Sequence, residues 1–201
     1  MIRRLLIATM NHGKVREMRR LLAELPVEIA TPAEVGKALD VDETGSTFEE
    51  NAALKASAFA RASGLPAVAD DSGLIVDALG GRPGVHSATY AGLPRDDERN
   101  RRLVLAEMEG VPEGNRSARF VCVVALADPS GCAPRFFRGE CEGRIARVQA
   151  GSGGFGYDPV FVPLGASRTF AEMSPSEKDA VSHRGMALRA LTEFLLLTAD
   201  C

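Results

Sequence analysis

Two adjacent carboxylates, Asp70 and Asp71, lie between the apolar runs Ala67-Val68-Ala69 and Leu74-Ile75-Val76, and this stretch constrains the chain more than any other. Charges partly withdrawn from water need a counter-charge, usually a metal or a cationic side chain. The first apolar run reads as a short strand that stops abruptly at Asp70-Asp71-Ser72-Gly73. Neighbouring strand residues point to opposite faces, so one aspartate can aim at a given ligand and the other is expected to be tied into backbone hydrogen bonds. An Asx-type turn, with Asp and Ser capping their own backbone before Gly73, reads equally well from these residues alone.

The rest of the chain narrows the choice. Its 201 residues suffice for one large domain or two small lobes sharing a core. With no internal repeat, low-complexity tract or linker-like segment, the expectation is a single domain over residues 1–201. The formal net charge of -3 supplies no global basic field for nucleic acid or a membrane surface, so a phosphate-bearing ligand must be met by a local cluster. The apolar runs are too short to span a bilayer, and the one after Arg3-Arg4 is too short for a signal peptide. Cys122, Cys132, Cys141 and Cys201 show no C-x-x-C spacing, and they read as reduced thiols of a cytoplasmic protein.

Arg4 to Ala8 reads as a first, doubly buried strand, followed by the polar loop Thr9-Met10-Asn11-His12-Gly13-Lys14. A helix with Val15, Met18, Leu22 and Leu25 on one face comes next, closed by Pro26. Such a loop at a helix N-terminus is a ready anion site, because backbone N–H groups and the helix dipole converge there. A P-loop is excluded: Ala8 stands where its first Gly would be, and Val15 where Ser or Thr must be. Val27 to Ala30 reads as a second strand. Thr47-Phe48-Glu49-Glu50 is a capping box opening a helix over about Phe48 to Ser63, with Glu43 just before it and Lys55 inside it.

A charged amphipathic helix to about Met108 follows Leu93-Pro94-Arg95-Asp96. Ser117 to Ala127 and Arg135 to Ile145 read as a long hairpin around Asp128-Pro129-Ser130-Gly131. Gly151-Ser152-Gly153-Gly154-Phe155-Gly156-Tyr157-Asp158-Pro159 joins the backbone freedom of four glycines to two flat apolar faces and a carboxylate, which suits a planar heterocycle; the same residues also read as a turn whose aromatics plug the core. Pro159 to Val162 reads as a short strand. Ser174 and Ser182 cap two successive helices, and Lys178, His183 and Arg184 gather near their starts. Cations are disfavoured there by the dipole, so three together point to an anionic or electron-rich ligand.

As a set these stretches resemble the inosine triphosphate pyrophosphatase family, also called dITP/XTP pyrophosphatases. The resembling residues are Thr9 to Lys14, Glu43-Thr44-Gly45-x-Thr47-Phe48-x-Glu50-Asn51-Ala52-x-Leu54-Lys55-Ala56, and Ala69-Asp70-Asp71-Ser72-Gly73-Leu74. Gly80-Gly81-x-Pro83-Gly84 with Ser87-Ala88, then Gly153 to Pro159, Glu177-Lys178 and Ser182-His183-Arg184-Gly185 complete it. Met10 departs from the small residue usual in the family.

The resemblance implies a mixed α/β fold, with an elongated central β-sheet flanked by helices and two lobes with the active-site cleft between them. It implies Mg²⁺-dependent hydrolysis of ITP, dITP and XTP to a monophosphate and pyrophosphate, cleansing the nucleotide pool, by a homodimer. In it Thr9, Met10, Asn11, His12, Gly13, Lys14 and Lys55 hold the phosphates. Asp71 is the catalytic carboxylate and a magnesium ligand, Glu43 the second metal carboxylate, and Ser72 a substrate contact. Phe155, Gly156, Tyr157, Asp158, Lys178, His183 and Arg184 surround the base, and Asp70 supports from the opposite strand face. Two other readings stay open: a haloacid-dehalogenase-like phosphatase using Asp70, although Ser72 stands where its second Asp belongs, and a nucleotide-sensing module without turnover.

Overall fold

Residues 2–199 are described by a computed structural model of the protein. Leu5, Leu6 and Ile7, apolar without alternation, form β1 (Arg4–Ile7) and are wholly buried, as a strand covered on both faces requires. β1 pairs in parallel with β2 (Glu28–Ala30), Leu5 opposite Ile29, and on its other side in parallel with β3 (Ala67–Val76), Ile7 opposite Val68. β4 (Ser117–Ala127), β5 (Arg135–Ile145) and β6 (Phe161–Pro163) complete a six-stranded mixed sheet in the order β2-β1-β3-β4-β5-β6. β5 and β6 are antiparallel.

β3 corrects the expectation of a break at the aspartates. It continues through Asp70-Asp71-Ser72-Gly73 as one ten-residue strand, and no Asx turn forms. The backbone can stay in the ladder because side-chain cations meet both carboxylates, as described below. β6 also starts later than the sequence suggests. Pro159 cannot donate to a ladder, and Asp158–Val160 instead make a 3₁₀ turn leading into Phe161.

The helices follow their caps. α1 (His12–Leu21) is capped by Asn11; it ends before Leu22 and Leu25, which still reach the core. α2 (Phe48–Ser63) opens on the Thr47–Glu50 capping box and stops at Gly64, whose φ of 71° suits glycine. α3 (Asp97–Glu107) is capped by Asp96. α4 (Pro175–Val181) carries the Ser174–Glu177 capping box, and α5 (His183–Ala199) follows Ser182. No helix among the described residues is long and apolar enough to cross a membrane. Cys122, Cys132 and Cys141 are free thiols, and Cys201 lies outside the described residues.

The chain divides into two compact units, each gathered from separate segments. The first takes Met1–Asp71, Cys122–Gly139 and Arg184–Cys201; the second takes Ser72–Val121 and Glu140–His183. In the first, Leu5, Ile7, Met18, Val68, Val124 and Leu188 belong to one apolar core. In the second, Leu74, Val104, Phe120, Ile145, Tyr157 and Phe161 belong to another. The cap of α2 sits directly beside the acidic loop before it, so Thr47→Ala should lower stability by about 1 kcal/mol. Urea denaturation with an unchanged m-value is the check.

Candidate active site

Asp70 and Asp71 are 1% and 5% exposed on an interior strand, and they face opposite ways. Asp70 Oδ2 accepts from Arg184 Nη2 at 2.9 Å and Nε at 3.2 Å, and lies 3.1 Å from the Lys14 ammonium. Arg184 Nη1 donates to Glu17 Oε2 at 2.6 Å. Lys14 and Glu17 stand three residues apart on α1, hence on one face. Two acids and two bases thus balance one another out of water. Burial would raise the Asp70 carboxyl, but Lys14 and Arg184 hold it well below the usual carboxylate range. Its principal partners are cations, where backbone donors were expected.

Asp71 belongs to a second group. Lys55 Nζ lies 2.9 Å from Asp71 Oδ1 and 3.2 Å from Glu43 Oε1, so one ammonium gathers two carboxylates from separate segments of the chain. Burial pushes the Asp71 carboxyl above its usual value, with Lys55 and Lys14 pulling the other way. Burial alone would lower Lys55, yet Asp71, Glu43 and Asp70 hold it above its ordinary range. Two neighbouring aspartates are therefore driven in opposite directions by their surroundings.

Asn51, one helical turn before Lys55, is 2% exposed. Its side-chain oxygen accepts from Gly45 N–H at 2.8 Å, and its amide nitrogen lies 3.4 Å from Asp71 Oδ2. The acidic loop is thereby fastened beside Asp71. A Cβ at Gly45 would press on Glu50 and Asn51, which explains glycine there. Asn51 and Glu17 were not assigned from sequence. A buried polar residue one turn from Lys55, and an acid one turn from Lys14, were the available signals.

The first loop departs from the simple anion-site picture. Asn11 Oδ1 takes the N–H groups of Gly13 and Lys14, and Thr9 Oγ1 takes that of Asn11. Lys14, Thr9 and the exposed Asn11 and His12 side chains remain the polar equipment of this loop, and Met10 is 54% exposed.

The residues of the second unit that the resemblance sets around the base form their own group. Asp158 Oδ2 accepts from Lys178 Nζ at 2.6 Å and from Phe155 N–H at 2.9 Å. The same ammonium sits 5.0 Å above the Phe155 ring and 5.6 Å from Phe170. Phe155 is half-buried. Tyr157 is a core residue, its hydroxyl donating to Ser87 O at 2.8 Å. His183 is buried and stacked on Phe120, centroids 4.6 Å apart and planes 7° apart. Ser72 is half-buried on β3. Lys178 and Arg184, read from sequence as cations awaiting an anionic ligand, both have the protein's own carboxylates as partners.

Magnesium takes one or two carboxylates and completes its shell with water and phosphate oxygens. Glu43 and Asp71 fit that donor set, because hard oxygens from two segments already converge on one positive centre. Among the described residues there is no cluster of three or more His, Cys, Asp and Glu side chains of the kind a closed protein cage would need.

Fold and site define a mixed α/β protein whose interior strand carries an acid–lysine centre. The chain belongs to the Ham1 family, whose model matches residues 5–194. It is 50% identical over 192 residues to a Geobacillus kaustophilus protein named dITP/XTP pyrophosphatase, covering 96% of this chain and 94% of that one. A Symbiobacterium thermophilum protein of the same name is 52% identical over 196 residues, covering 96% and 95%. The solved HAM1 protein of Coxiella burnetii superposes with a TM-score of 0.87 at 44% identity, covering 98% of this chain and 99% of that one. The Staphylococcus aureus Ham1 structure gives 0.84 at 39%, covering 96% and 98%.

The depressed Asp70 carboxyl couples stability to acid. Its contribution is complete above pH ~4, where an unfolded aspartate is ionised, and drains away as pH falls toward the lower folded value. Asp70→Asn should cost about 3–5 kcal/mol at neutral pH, by leaving Arg184 poorly balanced. It should also flatten the loss of stability below pH ~4, read by denaturant titrations at several pH values.

Proposed function

We propose that the protein hydrolyses the non-standard purine nucleoside triphosphates ITP, dITP and XTP to the monophosphate and pyrophosphate. The observation that carries the reading is the convergence of Glu43 and Asp71 on Lys55, with Lys14 held beside Asp70. Membership of the Ham1 family, and relatives named dITP/XTP pyrophosphatase, support it.

Glu43 and Asp71 would hold Mg²⁺, which supplies charge neutralisation on the phosphate oxygens. Lys14 and Lys55 would add positive charge for the triphosphate tail, which is the main demand of phosphoryl transfer. Water attacks the α-phosphorus, the bond to the bridging oxygen breaks, and pyrophosphate leaves. Asp71 would accept the proton that water loses. Asn51 fixes the Asp71 carboxylate, and the first loop, Thr9 to Lys14, together with Ser72, offers further phosphate contacts.

Base choice falls to Phe155, Gly156, Asp158, Lys178 and His183. Hypoxanthine and xanthine present a keto oxygen at C6 where adenine presents an amino donor. A side-chain donor such as Lys178 matches the first and opposes the second, a mismatch worth up to about 10⁴-fold. The same reading gives the enzyme a cleansing role in the cytoplasmic nucleotide pool, and the homodimer its resemblance implies.

With Mg²⁺ and ITP the purified protein should release IMP and pyrophosphate, resolved by ion-exchange chromatography. Orthophosphate as the first product would refute the reading. Asp71→Asn should lower kcat by about 10²–10⁴-fold with circular dichroism unchanged. An unfolded variant would instead make Asp71 structural.

A further inference from the structure

Gly156 is gripped on both sides of its peptide by one face of α3. Its N–H donates to Asp97 Oδ2 at 2.8 Å, and its carbonyl accepts from Arg101 Nη1 at 2.7 Å. Positions 97 and 101 are four apart, so both side chains leave the helix toward the same place. Arg101 is itself locked. Its Nε donates to Gln149 Oε1 at 2.8 Å and its Nη2 to Glu98 Oε2 at 2.6 Å, while Gln149 Nε2 donates to Glu98 Oε1 at 3.1 Å. Each of the three guanidinium nitrogens thus donates a hydrogen bond, with the side chain 15% exposed.

The gripped residue lies at the hinge of the Phe155 platform. Gly156 has φ 59° and Gly154 has φ 69°, both in the left-handed region that favours glycine. A Cβ on Gly154 would overlap the Asp158 carboxylate that holds Phe155 N–H and Lys178. Glycines on either side of an aromatic give the loop freedom that a flat binding face must not have. Tyr157 is anchored through Ser87 and Asp158 through Lys178, so the Asp97–Arg101 grip fixes the peptide between Phe155 and these anchors.

We propose that Asp97 and Arg101 are positioning residues for base recognition: by clamping Gly156 they set the plane in which Phe155 is presented to a purine. The proposal rests on the functional reading above and deepens it at the base side. It places specificity partly in a helix that contributes no phosphate ligand.

The test compares wild type, Asp97→Ala, Arg101→Ala and Asp97→Asn in steady-state hydrolysis of ITP and GTP with Mg²⁺. Amide exchange of the peptide over 151–157 is followed by mass spectrometry. The two alanine variants should speed exchange there, raise KM for ITP about tenfold or more, and keep kcat within about threefold. They should also shrink the ITP:GTP ratio of kcat/KM. Asp97→Asn keeps an oxygen acceptor but loses the charge, so it should restore the ratio if the hydrogen bond matters, and fail to if only the charge at the start of α3 does. Arg102→Ala, on the same helix with its Nε on Glu98, should behave as wild type.

Faster exchange with unchanged KM and base preference overturns the proposal, as does a fall in kcat alone or no rescue by Asp97→Asn. If Arg101→Ala does not fold, the Asp97 pair decides, because Asp97 is exposed on the first turn of α3. A wild type that does not turn over ITP sinks the functional reading itself; a discriminating wild type with equally discriminating clamp variants sinks this inference alone.

Discussion

A carboxylate in the middle of a sheet must be balanced before anything can pack around it, and Asp70 meets that condition through Arg184 and Lys14. One carboxylate oxygen receives two guanidinium N–H groups and lies beside an ammonium, and Glu17 takes the remaining side of the guanidinium. Such a group is weak evidence for net stability, because desolvating four charges offsets much of their attraction. Its consequence is orientation. With Asp70 fixed on one face of β3, strand alternation directs Asp71 to the other, toward Lys55, Asn51 and Glu43.

The two groups differ in the freedom left to them. Arg184 is 2% exposed and pairs with two buried acids, as a permanent brace would. Lys55 and Glu43 reach solvent more, Glu43 from an irregular loop held through Asn51 and Gly45. An ammonium shared between two carboxylates, one of them on an irregular loop, is less tightly bound than the brace behind it. The second unit repeats the device on a smaller scale. Asp158 ties together Lys178 and the backbone of Phe155, and the flat ring gains a cation above it.

Much of the architecture is local and therefore legible. The capping boxes at Thr47 and Ser174, the glycine after Ser63 and the apolar run at Leu5 each act within a few residues, and the helices and β1 follow them. Expectation and structure part where a distant partner decides. Asp70-Asp71 looks like the end of a strand because local chemistry cannot reveal that Arg184, 114 residues on, removes the cost of continuing. The carboxylate partners of Lys178 and Arg184, namely Asp158 and Asp70, are likewise invisible from the local sequence of α4 and α5. Asn11 is the cap of α1 and takes two of the first loop's N–H groups, which a free anion site would leave open.

By itself, the sequence determined which residue types could do chemistry and where helices and strands begin, because periodicity, caps and turn residues act over a few bonds. The tertiary structure decided who neutralises whom: Glu17 with Arg184, Asn51 with Asp71, Asp97 and Arg101 with Gly156. Pairings of that kind depend on side chains far apart in the chain sharing a volume without water, and no local pattern encodes them. The physical reason is that a buried charge selects its partner by proximity in the fold, where the low dielectric makes proximity decisive.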